Sequence, residues 1–276
     1  MKCKTRNTFL IRNMKRYPIW SYLSISAIDA PLISIAWYLY FAQNLLNTSL
    51  NTQHCIILGV SVWLGYMADR LFDIRFKKEA QLISLRHQFC KENEFKLWIL
   101  WLIILIPITI FSLNTLNNDK IFAGLILILF ILLYNCINQC FSRKRFPKEI
   151  CVAALFSYGT LFLIENPLKI EEFIHLTLIC FLNCLILTHK EKQVDKLMGI
   201  NSWTNPFTHR SIIIILALFC IYFLIAYQGR FNPFFAICLL CLALHIKSHH
   251  IDEERFRIIL EFLYAIIPLL ALIAKN

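Results

Sequence analysis

Nine apolar runs, separated by short polar segments, constrain this chain more than any other feature. They lie near 19–42, 55–72, 97–113, 121–139, 149–164, 173–188, 210–227, 231–248 and 257–274. A bilayer-spanning helix needs roughly 17–25 residues at ~1.5 Å each. The runs at 149–164 and 173–188 are the shortest. Only 16% of the 276 residues are charged and 58% are hydrophobic, whereas soluble domains carry about 25% charged residues. The mean hydropathy is +0.61. Gly is scarce and no stretch reads as a long linker. The expectation is one integral membrane domain over 1–276: an all-α, polytopic helix bundle of about nine transmembrane helices.

The net charge of +11 by itself would suit a nucleic-acid partner. Its distribution argues otherwise. Nine spans put 1–18, 73–96, 140–148, 189–209 and 249–256 on one side. With a few residues of slack at each edge, that side holds 24 of the 28 Lys and Arg. The other side has only Lys120, Lys169, Arg230 and Lys275. The positive-inside rule makes the basic side cytoplasmic. The excess charge is thus topological, and no nucleic acid is implied. The basic N-terminus, 1–18, lacks a separate apolar segment and small-residue cleavage site, so the first span reads as an uncleaved anchor. Most of the eleven cysteines sit inside apolar runs. The pair Cys238 and Cys241 reads as buried small apolar residues.

Two acidic motifs hang off the cytoplasmic ends of spans. One is Asp69-Arg70-Leu71-Phe72-Asp73; the other is Glu191-Lys192-Gln193-Val194-Asp195. Each sets two carboxylates four residues apart, on one face of a helix. The same 122 positions separate Asp69 from Glu191 and Asp73 from Asp195. Facing each other, the pairs would form a four-carboxylate cup. Mg²⁺ takes carboxylate oxygens and completes its octahedron with water and substrate phosphate. A diphosphate with an apolar tail in the bilayer is a suitable substrate for such a cup. Alternatively, interfacial acids merely pair with neighbouring Lys or Arg.

Other polar residues extend this picture. Asp29 lies about 13 Å into the first span, where a carboxylate costs at least ~2.5–3.5 kcal/mol and needs a partner. Asn183 sits two turns deeper than Glu191 on nearly the same face. Segment 74–96 is the most charged of the chain, and its apolar positions permit an amphipathic helix over the cytoplasmic mouth. Basic residues at 143–148 precede the fifth span, and Pro147 suits a helix start.

At Gly65–Asp73, Arg143–Glu149 and Asn183–Asp195 the chain resembles the UbiA superfamily of intramembrane prenyltransferases. The resemblance implies a nine-helix bundle in a plasma or inner membrane. It implies Mg²⁺-dependent transfer of a prenyl group from a prenyl diphosphate to a lipid-soluble, possibly aromatic, acceptor. Asp69, Asp73, Glu191 and Asp195 carry over as metal-binding, catalytic residues. Arg70, Lys77, Arg86, Lys144 and Lys190 are candidate diphosphate contacts. Asp29, Asn183 and Tyr158 are candidates for orienting the acceptor. Segments 73–96 and 189–209 would cap the site. The chain departs from the family pattern where Gly65 and Tyr66 replace an Asn-Asp pair and Thr188 and Glu191 replace two aspartates.

Two other classes stay open. One is a non-catalytic membrane protein that binds lipid or assembles with partners. The other is a transporter using Asp29 as a proton or ion site.

Overall fold

The computed structural model describes residues 21–46, 51–75, 84–140, 147–164, 170–197, 202–228 and 232–274. The basic N-terminus, Lys77 and Lys144 lie outside the described residues. Twelve α-helices are present among those described: α1 (Tyr22–Ile25), α2 (Asp29–Leu46), α3 (Thr52–Arg75), α4 (Leu85–Glu92), α5 (Glu94–Thr115), α6 (Asn118–Cys140), α7 (Lys148–Leu161), α8 (Ile170–Lys190), α9 (Lys192–Leu197), α10 (His209–Ala226), α11 (Pro233–Ile246) and α12 (Glu253–Ile273).

Every expected apolar run coincides with a helix of 14 or more residues. Six of these, α3, α5, the 118–137 part of α6, α8, α10 and α12, are long and apolar enough to cross a membrane. The short run at 173–188 is part of the 21-residue α8. By contrast, α7 and α11 have 14 residues each, or about 21 Å, less than the ~30 Å hydrocarbon core. The chain is an integral, multi-pass membrane protein by these helices and by what their outer faces expose. Only 11% of the most apolar window of α5, and 6% of that of α6, is buried within the protein. Two adjacent helices of Leu, Ile and Phe left so bare need an apolar solvent, and lipid is that solvent.

Contacts between helices give the arrangement. α2, α3, α7, α8, α11 and α12 each pack on their neighbours and on the bundle interior, with α2 against α12 and α7 against α8 as the most extensive pairs. α5 packs on α3, α6 on α7, and α10 on α11 and α8. The three added helices are the ones with the barest outer faces. At one end an aromatic cluster closes the interior: Trp37 stacks on Phe234 at 5.1 Å, and Phe223 on Phe234 at 5.3 Å. Cys238 and Cys241 are buried in this core, as small apolar residues should be.

Helix starts at the opposite end are fixed by capping. Thr208 and Ser211 form a reciprocal capping box at α10, and Asp252 accepts from Arg255 N at α12. Such caps satisfy amides that would otherwise be orphaned, each worth ~1 kcal/mol.

The first expected span differs from its sequence reading. It is not one helix over 19–42: the turn α1 ends, Ala27 adopts φ 59°, and α2 begins at Asp29. A left-handed Ala costs roughly 1–2 kcal/mol. The break is supported from α3, where Arg70 Nη1 donates to Ser24 O at 2.6 Å and Ile25 O at 3.1 Å. Trp63 Nε1 donates to Ser26 O at 2.9 Å. Pro31 falls in the first turn of α2, where its missing N–H is no loss. Asp29 is therefore a helix N-terminal carboxylate, favoured by the dipole, and not a charge in the middle of a continuous helix.

Candidate functional site

The two acidic motifs, distant in sequence, open onto one cavity of about 240 Å³. α3 brings Asp69 and Asp73; the α8–α9 junction brings Glu191 and Asp195. The helical path runs through that junction, because Glu191 N donates to Leu187 O at 2.9 Å and Asp195 N donates to Glu191 O at 2.8 Å. The i, i+4 relation therefore survives the break in α8, and both acids keep one face. Asn183 and Thr188, further back along α8, line the same cavity, as the face argument requires.

α4 lies over the acidic end. His87 and Cys90 are buried; Cys90 belongs to a cluster with Met67, Leu71, Ile74 and Leu97, and Phe89 and Val194 each pack against that cluster. This seats Arg86 and His87 in the cavity wall. Arg86 Nη2 reaches Glu191 Oε2 at 3.1 Å.

Further charged residues that were not among the candidates line the cavity: Lys148 and Glu149 on α7, from the segment before the fifth span, and Arg257 and Glu261 on α12. Arg257 Nε donates to Glu191 Oε1 at 2.7 Å, its Nη2 donates to the same carboxylate, and its Nη1 donates to Glu261 Oε1 at 3.3 Å. A signal for them was available. An Arg and a Glu at i, i+4 within an apolar span are expensive in lipid and mark an interior site.

The wall is acid-rich. Asp29, Asp69, Asp73, Glu149, Glu191, Asp195 and Glu261 face Arg70, Arg86, His87, Lys148 and Arg257. Acidic side chains outnumber the four permanent cations even when Asp29 and Glu261 share one proton, which leaves room for added positive charge. Glu149 Oε2 and Asn183 Oδ1 are buried without a hydrogen-bond partner, the enclosed Asp29 and Glu261 carboxyls face each other, and all four residues line this cavity. A buried orphan oxygen costs about 1–3 kcal/mol. Hard oxygen donors in excess are the ligand type a divalent cation such as Mg²⁺ takes, although among the described residues no three of the carboxylates already stand within 4.8 Å of one another, as three histidines elsewhere do.

The two outer acids of the second motif differ electrostatically. Burial pushes the Glu191 carboxyl up, but the Arg257 and Arg86 guanidinia outweigh it and hold Glu191 down to about 2. Asp195 is pushed up to about 6, first by burial and then by the Glu191 charge, against weaker help from Arg86 and Arg257. Glu191 is thus an anion already matched by arginine, whereas Asp195 is an anion in need of a counter-charge.

Some candidates stand elsewhere or do other work. Lys190 points out of the cavity: its ammonium donates to Ser248 O at 2.6 Å and Ile251 O at 2.7 Å and sits over the Phe256 ring. One residue from Glu191, it is rotated by about 100° around the helix. Tyr158 stacks on Phe162 at 6.3 Å and is not in the cavity wall. The α7 face that lines it is Glu149, Val152, Ala153 and Phe156, which follows i, i+3, i+4, i+7. Arg70 lines the cavity but spends hydrogen bonds on the broken first span. Tyr66 and Thr188 both line it. Thr188 Oγ1 donates to Glu149 Oε1 at 3.5 Å, and Ser202 Oγ donates to the same oxygen.

No protein-family model, curated protein or solved structure matches this chain.

Proposed function

We propose that this membrane protein binds Mg²⁺ and a prenyl diphosphate in the acidic cavity and transfers the prenyl group to a lipid-soluble acceptor. This reading includes a UbiA-like bundle of nine spans with the acidic end cytoplasmic. One observation carries it: Asp69, Asp73, Glu191 and Asp195, from segments 122 positions apart (69 to 191, 73 to 195), share one acid-rich cavity wall. A soluble metal site would not need a lipid-embedded cavity, and a lipid pocket would not need seven carboxylates.

Asp69, Asp73 and Asp195 would hold the cation, with Glu191 fixed beside them by its arginines. Bound Mg²⁺ would neutralise the diphosphate charge as the C–O bond breaks. Arg86 and Lys148, at the same wall, offer guanidinium and ammonium donors to phosphate oxygens. Ile33, Val152, Ala153, Phe156 and Leu187 line the apolar part and would keep water from an allylic electrophile. At about 240 Å³ the cavity is smaller than a typical ligand cleft of ~300–1,000 Å³. It suits a diphosphate and the first part of a prenyl chain, with the remaining tail passing out between helices into lipid.

The test is metal-dependent release of diphosphate from a panel of prenyl diphosphates by the purified protein. Asp69→Asn and Asp195→Asn should each lower it by at least ~100-fold, the scale of losing one stabiliser of transition-state charge. Full turnover in both variants would remove the metal assignment. The arginine clamp on Glu191 favours a second reading, a non-catalytic binder of prenyl diphosphates. Saturable, Mg²⁺-dependent binding of a prenyl thiodiphosphate without any turnover of the diphosphates would select it.

A further inference from the structure

Three histidines from separate parts of the chain converge beside the acidic end of the bundle. His189 closes α8, His209 opens α10 and His245 lies near the end of α11. One ring nitrogen from each lies within 4.8 Å of the others. The His209 and His245 centroids are 4.4 Å apart, and His189 and His245 are 5.5 Å apart. None of the three lines the acidic cavity.

His245 is the telling member. Only 1% of it is exposed, yet neither of its ring nitrogens makes a well-formed hydrogen bond, although the His209 backbone lies within reach of the ring. An imidazole buried for packing alone normally donates one nitrogen and accepts at the other, and each orphan costs about 1–3 kcal/mol. The two remaining rings are half-buried and open to the surface. A polar side chain paid for in this way, aimed at two more imidazoles, has the makings of a ligand set.

The geometry points to a three-histidine site for a borderline-soft divalent cation of the Zn²⁺ type, independent of the prenyl-diphosphate reading. Imidazole suits Zn²⁺, Co²⁺, Ni²⁺ and Cu²⁺, whereas Mg²⁺ prefers oxygen. Nitrogens sharing a tetrahedral Zn²⁺ at ~2.0–2.1 Å stand about 3.3–3.4 Å apart. The observed spread closes to that by small side-chain rotations. The fourth position goes to water or to His249, whose ring centroid is 4.6 Å from that of His209.

Such a cation would tie α8, α10 and α11 together where they reach the membrane surface. It would also brace the neighbouring connection, because Lys190, next to His189, already holds the Ser248 and Ile251 carbonyls. The role is structural: no reaction is needed to account for it.

The experiment uses the full-length protein in detergent, stripped with chelator and then titrated with Zn²⁺ in excess Mg²⁺ to occupy the carboxylates. The expected result is about one Zn²⁺ per chain, a Zn²⁺-dependent rise in melting temperature, and a tetrahedral Co²⁺ absorption band. His209→Gln, at a half-exposed helix start, should weaken Zn²⁺ binding by ~100-fold or more while its Zn²⁺-free melting temperature stays at the wild-type value. This loss is at least the 10–100-fold scale of disturbing a ligand's support. His245→Gln should abolish the thermal shift. Unchanged Zn²⁺ affinity in His209→Gln would overturn the proposal, as would no binding by folded wild type. Zn²⁺ binding lost in Asp69→Asn but kept in both histidine variants would equally overturn it, by assigning the ion to the carboxylates.

Discussion

Arg257 and Glu191, 66 residues apart in sequence, meet through a forked ion pair in which Nε stands 2.7 Å from Oε1 and Nη2 donates to the same carboxylate. The pair joins α12 to the α8–α9 junction, and Arg86 adds α4 to the same carboxylate at 3.1 Å. Three otherwise separate segments are thereby fixed around one anion. Both side chains are largely buried, at 10% and 14% exposure, so each is held there only because the other is present.

Breaking this pair from one side should therefore cost more than removing it. Arg257→Met and Glu191→Gln are each expected to destabilise the protein by about 3–5 kcal/mol. The double variant should fall short of the sum by more than ~1 kcal/mol. Denaturant unfolding of the four proteins in one detergent checks this, and strict additivity would mean that the two side chains do not depend on each other.

The pH response should have opposite signs for Glu191 and Asp195. Glu191 is held at about 2 against an ordinary 4.5, so its contribution is present above pH 4.5 and is lost as pH falls toward 2. Asp195 is raised to about 6 from 3.8, so its contribution is full below pH 3.8 and is lost as pH rises through 6. Without divalent cation, Asp195→Asn should thus melt higher than wild type at pH 7.5, with the gap closing toward pH 4. Added Mg²⁺ should stabilise the wild type more at pH 7.5 than at pH 5. A gap that is constant across this range would contradict the burial-driven shift.

Arg70 and Arg86 should fail in different ways. Arg70 holds the Ser24 and Ile25 carbonyls, so Arg70→Met is expected to lower stability by ~1–3 kcal/mol per orphaned acceptor. Arg86 reaches into the cavity wall to Glu191, and under the proposed function Arg86→Ala should chiefly raise the KM for prenyl diphosphate, by about tenfold, with a small loss of melting temperature. Calorimetry and steady-state kinetics on the two variants separate these outcomes; the reverse pattern would exchange their roles.

Nine spans and six spans predict different positions for the chain ends. An odd count puts the N- and C-termini on opposite sides of the membrane, and an even count puts them together. Protease protection of N- and C-terminal tags in sealed vesicles should find them on opposite sides. Cleavage of both from the same side would mean that an odd number of the nine helices fails to cross, as when α2 and the 14-residue helices α7 and α11 all stop short.

The sequence by itself determined the class of the protein and much of its acidic site. Apolar runs locate helices because a bilayer leaves the backbone no other partner for its N–H and C=O groups. The i, i+4 spacing of Asp69 with Asp73 and of Glu191 with Asp195 sets each pair on one face because helical geometry is local. Asn183 followed by the same rule. What only the tertiary structure decided is which distant groups meet. Arg257, Glu261 and Glu149 enter the cavity because α12 and α7 pack beside α2 and α8, and packing joins residues that no spacing relates. The split at Ala27 depends on Arg70 and Trp63 arriving from α3 to hold the freed carbonyls. Lys190 and Tyr158 have suitable chemistry but lie on the wrong side of their helices, where a rotation of about 100° per residue outweighs side-chain type.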